Sequence, residues 1–289
     1  MAIEDWSSRV LLERRLGKMT ICVSVQVAEG LIFAADSAVT LSGLLQGQST
    51  PQVLQIFESA NKVTQFGDYP IGVMSWGMGA IHNRTVQSLI MEHEYAYPKQ
   101  KDVPDFQVRK IAEDLVAFIR ARYDAAFTDP ANRPAMGLAI GGHSHDQFFA
   151  EQYKCEFPGT DFLAVRQNLA NGFPSFGANW FGMPDALTRL ICGYDPGSLT
   201  ELINRGVDKA IVDKWVADGI GQIPIVFDGM PLKDAIDFAD YCARVTIGRW
   251  RFAVGPNLCG GEVDIAVMRP RSFQWAQRKR WSIKRYEED

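Results

Sequence analysis

Regular patterning begins at residue 20, where two apolar runs, 21–27 and 31–35, flank Ala28-Glu29-Gly30. Runs of this length around a Gly-containing break predict a β-hairpin, with the Gly free to take φ > 0. The second strand returns antiparallel, so Thr20 and Asp36 fall at the same open end. The pattern places a hydroxyl and a carboxylate close together.

Residues 41–60 are rich in Gly, Ser, Gln and Thr and read as a long loop. Lys62 opens a short strand, residues 67–70 turn, and 71–76 return. A helix is predicted from Gly77 to about Tyr95, with Ile81, Val86, Leu89 and Ile90 on its apolar side. Its N-terminus, with unpaired N–H groups, is a natural oxyanion site. A second helix starts at Pro104-Asp105, where Phe106, Ile111, Leu115, Phe118 and Ile119 recur near the 3.6 period. Residues 135–142 and 147–155 form another hairpin around His143-Ser144-His145-Asp146, read as a solvated turn and not a metal site. The stretch 157–227 is less regular. It includes an aromatic, Gly- and Pro-rich loop over 171–184, a capping box at Ser198-Leu-Thr-Glu201 and a short helix over 207–217. A helix from Pro231, buried along Leu232, Ala235, Ile236, Ala239 and Cys242, and a late strand over 262–268 complete the pattern.

Composition narrows the classes. A chain of 289 residues, 47% apolar, can bury a substantial core, and its net charge of −4 argues against broad nucleic-acid binding. The five cysteines show no metal spacing, which implies free buried thiols, a reducing compartment and a cytoplasmic location. No apolar run approaches the roughly 18 residues of a membrane span. Neither cofactor nor metal is expected. The tail 269–289 interleaves seven Lys or Arg with Phe273, Trp275, Trp281 and Tyr286 but ends acidic, and reads as an edge strand with a subunit contact. Residues 1–19 lack a secretory core. They read as an extension, either a propeptide or a start called too early with Met19 as initiator, ahead of a single domain over 20–289.

Thr20 directly follows Met19. If it is the mature N-terminus, one residue supplies a nucleophilic Oγ and an α-amine able to act as its base. The run from Thr20 to Thr40, with Asn61-Lys62-Val63-Thr64, the strand ending Ser75-Trp76-Gly77, Leu138-Ala-Ile-Gly-Gly142 and Gly260-Gly-Glu-Val-Asp264, resembles proteasome β subunits and their bacterial relatives, the N-terminal-nucleophile hydrolases. The resemblance covers about half the chain. It implies an α+β fold, a four-layer αββα sandwich, and a threonine peptidase or amidohydrolase acting as a homo-oligomer, in a ring or an open spiral, on peptide or protein substrate. Whether an ATPase delivers substrate is left open by the sequence; membrane and nucleic acid are not expected partners. Carried over residue by residue, Thr20 is the nucleophile, Lys62 the charge beside it, Asp36 the partner of that Lys and Gly77 the oxyanion donor. Thr40 would bind substrate backbone, and Val39 and Ser75 would line the first specificity pocket. Met19 replaces the Gly that usually precedes the Thr. Ala38, Ala178, Pro256 and Cys259 replace usual supporting residues. The alternative is a non-catalytic scaffold with Thr20 capped.

Overall fold

The computed structural model describes residues 20–43, 52–165, 174–255 and 257–279. The extension 1–19, Pro256 and the end of the tail lie outside them. The predicted hairpin forms: β1 (Ile21–Val27) and β2 (Gly30–Ala35) pair with Cys22 opposite Ala35 and Val27 opposite Gly30, so the turn is Ala28-Glu29 alone. Gly30 serves close approach and not a positive φ, since a Cβ there would lie 2.5 Å from the Met268 carbonyl oxygen.

The predicted loop after Asp36 is in part a ribbon, β3 (Val39–Gly43) paired with β4 (Gln52–Phe57). Then come β5 (Val63–Gln65) and β6 (Ile71–Gly77). The first helix does not start at Gly77. A small ribbon, β7 (Ala80–Ile81) with β8 (Arg84–Thr85), intervenes, and α1 (Val86–Ala96) is capped by Thr85 Oγ1 accepting from Ser88 N. Two glycines leave residues 77–79 without the side-chain packing and propensity that a helix needs. Next follow α2 (Val108–Ala126), β9 (Met136–Gly142), β10 (Glu151–Phe157), β11 (Phe162–Ala164) and β12 (Gly177–Gly182). The short α3 (Asp185–Leu187) precedes α4 (Pro196–Asn204), α5 (Lys209–Ala217) and α6 (Leu232–Arg251). The cap of α4 is Asp195, whose Oδ1 accepts from Ser198 N, and not Ser198. Strands β13 (Asp264–Arg269) and β14 (Ser272–Gln277) follow.

One five-stranded antiparallel sheet has the order β12-β1-β2-β13-β14, the other β11-β10-β9-β6-β5. Strand alternation divides β1 between two environments. Ile21, Val23, Val25 and Val27 pack with α6 residues Ala235, Ala239, Cys242 and Ala243, whereas Cys22 joins Leu31, Phe33, Met74, Trp76, Ala139 and Met268 between the sheets. A third cluster joins Ile111, Leu115 and Ile119 of α2 to Val73, Leu138 and Ile140.

The four-layer αββα sandwich is corrected. The described chain is α+β, with several antiparallel sheets and six helices, and a regular four-layer stack is not established because not all of its helices lie on the sheets. Helix α4 buries no residue, α5 buries only Val212, and the two pack mainly on each other. Two ribbons also stand apart from the five-stranded sheets. Apolar periodicity marks which face of a helix is sticky and not what covers it.

Candidate active site

The site lies at the open end of the first hairpin. Asp36 follows β2 directly, and its buried carboxylate is held by four donors. Oδ1 accepts from Ile21 N at 3.0 Å and Lys62 Nζ at 2.7 Å; Oδ2 accepts from Gly260 N at 2.9 Å and Ala38 N at 3.3 Å. Three backbone amides thus orient a carboxylate that orients Lys62, which is itself only 5% exposed. An ammonium has three donors. Asp36 is its acceptor among the described residues, and Lys62 also lines a cavity of about 220 Å³ together with Thr20, Val39, Ser75 and Gly77.

Thr20 is anchored by its carbonyl oxygen, which accepts from Met183 N at 2.8 Å. Its φ is 105°, a region that β-branched residues rarely occupy. Strain of this kind concentrates at functional positions.

The direction of the Gly77 amide follows from its neighbours. On one side of β6, Met78 N donates to Ala135 O; on the other, Ser75 N donates to Lys62 O. Antiparallel strands alternate these directions, so the Gly77 N–H points to the Lys62 side, beyond the end of β5. Gly77 has a φ of 79°, and a Cβ there would lie 2.5 Å from Ala135 O, so no other residue fits.

Thr40 is the outlier of the predicted set. It is not in the cavity wall, and its Oγ1 is buried without a partner among the described residues. Sequence reasoning missed Phe57, Met78 and Val86, which add apolar surface to the cavity that Lys62 lines. Phe57 lies directly across the ribbon from Val39, a pairing invisible while this stretch read as loop. Ala178 does not stand beside Thr20 either. It pairs with Val25, while Gly182 is opposite Ile21. The neighbouring Phe181 ring stacks on Trp76 at 4.5 Å.

Two thiols flank the pair. Cys22 Sγ donates to Ser75 O at 3.3 Å, and Cys259 sits by Asp36. Burial, first, and the Asp36 charge push the Cys259 thiol up; burial does the same for Cys22, against the opposing pull of Lys62. Both stay protonated and serve as neutral packing. Away from the site, His143 is buried against Met268 O at 3.3 Å and not solvated as predicted, because its turn folds under β13. No group of three or more His, Cys, Asp or Glu able to hold a metal ion occurs among the described residues, and no helix there is long and apolar enough to cross a membrane.

No protein-family model matches the chain, and no curated protein matches it. Among solved structures, it is similar to Anbu (ancestral beta-subunit) from Yersinia bercovieri, at 15% identity and a TM-score of 0.51 over 91% of this chain and 89% of that one. It is also similar to an Anbu (Gly-1) mutant from Hyphomicrobium sp. strain MC1, at 16% identity and a TM-score of 0.52 over 92% and 89%. These findings correct the reading of the chain as a proteasome β-subunit homologue: the short motifs that carried it extend to no family match. What the chain shares with the Anbu structures is a proteasome-like fold.

Proposed function

We propose that the chain is an N-terminal threonine hydrolase of peptide or amide bonds. The observation that supports it is the buried Lys62, fixed by Asp36 and facing the same cavity as Thr20 and the Gly77 amide. Chemistry requires loss of residues 1–19, which also removes the strained torsion at Thr20, since φ exists only while the preceding peptide bond does. The freed α-amine accepts the proton of Oγ1 as that oxygen attacks the carbonyl carbon. Lys62, a nearby positive charge, disfavours protonation of the amine beforehand. The Gly77 N–H receives the developing oxyanion. Collapse breaks the C–N bond, the leaving amine takes the proton back from the Thr20 ammonium, and water hydrolyses the ester to restore Thr20. Assembly into a homo-oligomer is part of the proposal, supported by exposed Leu202, Ile211, Ile223 and Val226 on and after the α4–α5 pair.

The test is N-terminal sequencing followed by a threonine-directed electrophile. We expect a mass addition on Thr20 that is absent in Thr20→Ala. A chain that begins at Thr20 and takes no label would instead be the non-catalytic scaffold.

A further inference from the structure

A second cavity, of about 600 Å³, lies on the other side of Trp76 and Gly77, two residues it shares with the cavity of Thr20. Gly182 is in its wall and pairs with Ile21, the residue after Thr20, so the two cavities adjoin across Trp76 and Gly77. Its volume is that of an ordinary ligand site.

The lining is aromatic along one side and carries hydrogen-bond donors at the far end. Trp76 and Phe181 stack at 4.5 Å with an interplanar angle of 13°, and Lys154 Nζ lies 6.0 Å from the Phe181 centroid on a third element, β10. Beside them on β12, Asn179 Nδ2 is buried with no acceptor among the described residues, and its cross-strand neighbour Ser24 has an equally unpartnered Oγ. Buried polar atoms are normally hydrogen-bonded, and an unpaired amide NH₂ needs an acceptor. Lys154 is poorly satisfied too, because its nearest carboxylate, Glu156, is 3.6 Å away with a side chain 57% exposed. Glu156 lines the same cavity, and the Lys154 ammonium with the buried Asn179 amide NH₂ near it match a second carboxylate.

Resting on the threonine-hydrolase reading, we propose that this cavity holds the leaving group, and that the preferred substrates are peptides cleaved close to a free C-terminus. The Trp76–Phe181 stack and Lys154 beyond it span roughly two to three extended residues at about 3.3–3.6 Å each. The released amine, carrying the proton from Thr20, is then a di- or tripeptide acid. Its carboxylate meets Lys154 and Asn179, and its side chains lie along the Trp76–Phe181 stack.

The test is binding of a product to the full chain, read by quenching of tryptophan fluorescence, because Trp76 and Trp180 line the cavity. The tripeptide acid Ala-Phe-Ala is compared with its C-terminal amide. We expect the acid to bind about tenfold to a hundredfold more tightly. The difference disappears in Lys154→Gln, returns in Lys154→Arg and shrinks in Asn179→Ala, while electrophile labelling of Thr20 is unchanged in all three. Equal binding of acid and amide, or an unaltered preference in Lys154→Gln, overturns the inference even if Thr20 is labelled. Acid-selective binding to a chain that takes no label upholds the carboxylate site and removes the hydrolase.

Discussion

Two buried Lys–Asp pairs bracket the segment 58–62, and they teach different things. Lys62 reaches Asp36 from one side; from the other, Lys279 pairs with Asp264 and also donates to Ala60 O at 2.9 Å. Both lysines are almost wholly buried. The second pair is closed on itself, since Asp264 Oδ1 also accepts from Lys279 N at 2.9 Å and neither side chain faces the cavity of Thr20. In the first pair the carboxylate is saturated by backbone amides while the ammonium keeps donors toward that cavity. The same two residue types make a staple in one place and a charged wall in the other. The difference is whether the lysine has spare donors and somewhere to point them.

Mutation should separate the two. Lys62→Ala strands a buried carboxylate, so we expect a loss of about 3–5 kcal/mol in urea unfolding. It should also bring a fall in turnover or labelling rate of about 10²–10³, the size of a lost electrostatic group at a reacting centre. Lys279→Ala should cost a similar 3–5 kcal/mol by the same argument. Its rate per folded molecule should move only a few-fold, roughly 1 kcal/mol or less; a hundredfold fall would make the closed pair part of the site. Replacing both members, Lys279→Met with Asp264→Leu, should be far milder than Lys279→Ala alone, because no charge is left unpaired; about 1 kcal/mol either way is expected from unfolding curves.

The smallest effect lies far from both pairs. Burial holds His143 below its ordinary range, with the Met268 carbonyl and Glu151 opposing the shift. The unfolded chain therefore takes up this proton first, near pH 6.5. Stability is flat above that value and falls as pH drops toward the folded pKa, by at most about 1.4 kcal/mol per pH unit. His143→Gln should flatten this slope in unfolding curves taken between neutral and mildly acidic pH.

Much of this was legible in the chain because it depends on neighbours in sequence. The hairpin places Asp36 beside Ile21 by antiparallel counting alone, and the stripe over Ile111, Leu115 and Ile119 found its helix, although that helix begins at Val108 and leaves the predicted start at Pro104-Asp105 and Phe106 outside it. Other features resisted reading. Residues 41–60 lack apolar alternation, so the ribbon that brings Phe57 to the cavity gave no periodic signal. Lys279 looked like one more charge in a basic tail, since nothing local to it marks an aspartate 15 residues away as its partner. That Ala178 pairs with Val25 while Gly182 lies opposite Ile21 was not readable either, since strand register is a property of pairing and not of either strand alone.

The amino-acid order by itself determined the local elements and the meeting of Thr20 and Asp36 at one end of the hairpin, because backbone periodicity and turn chemistry act over a few residues; Lys62 entered only through the family resemblance. Tertiary structure alone decided that Lys62 lines a cavity while Lys279 does not, that the Gly77 amide points to the Lys62 side of its strand, and that a second cavity lies beside Trp76. Those outcomes depend on how two sheets meet, and contacts between residues far apart in the chain are set by packing that no local pattern encodes.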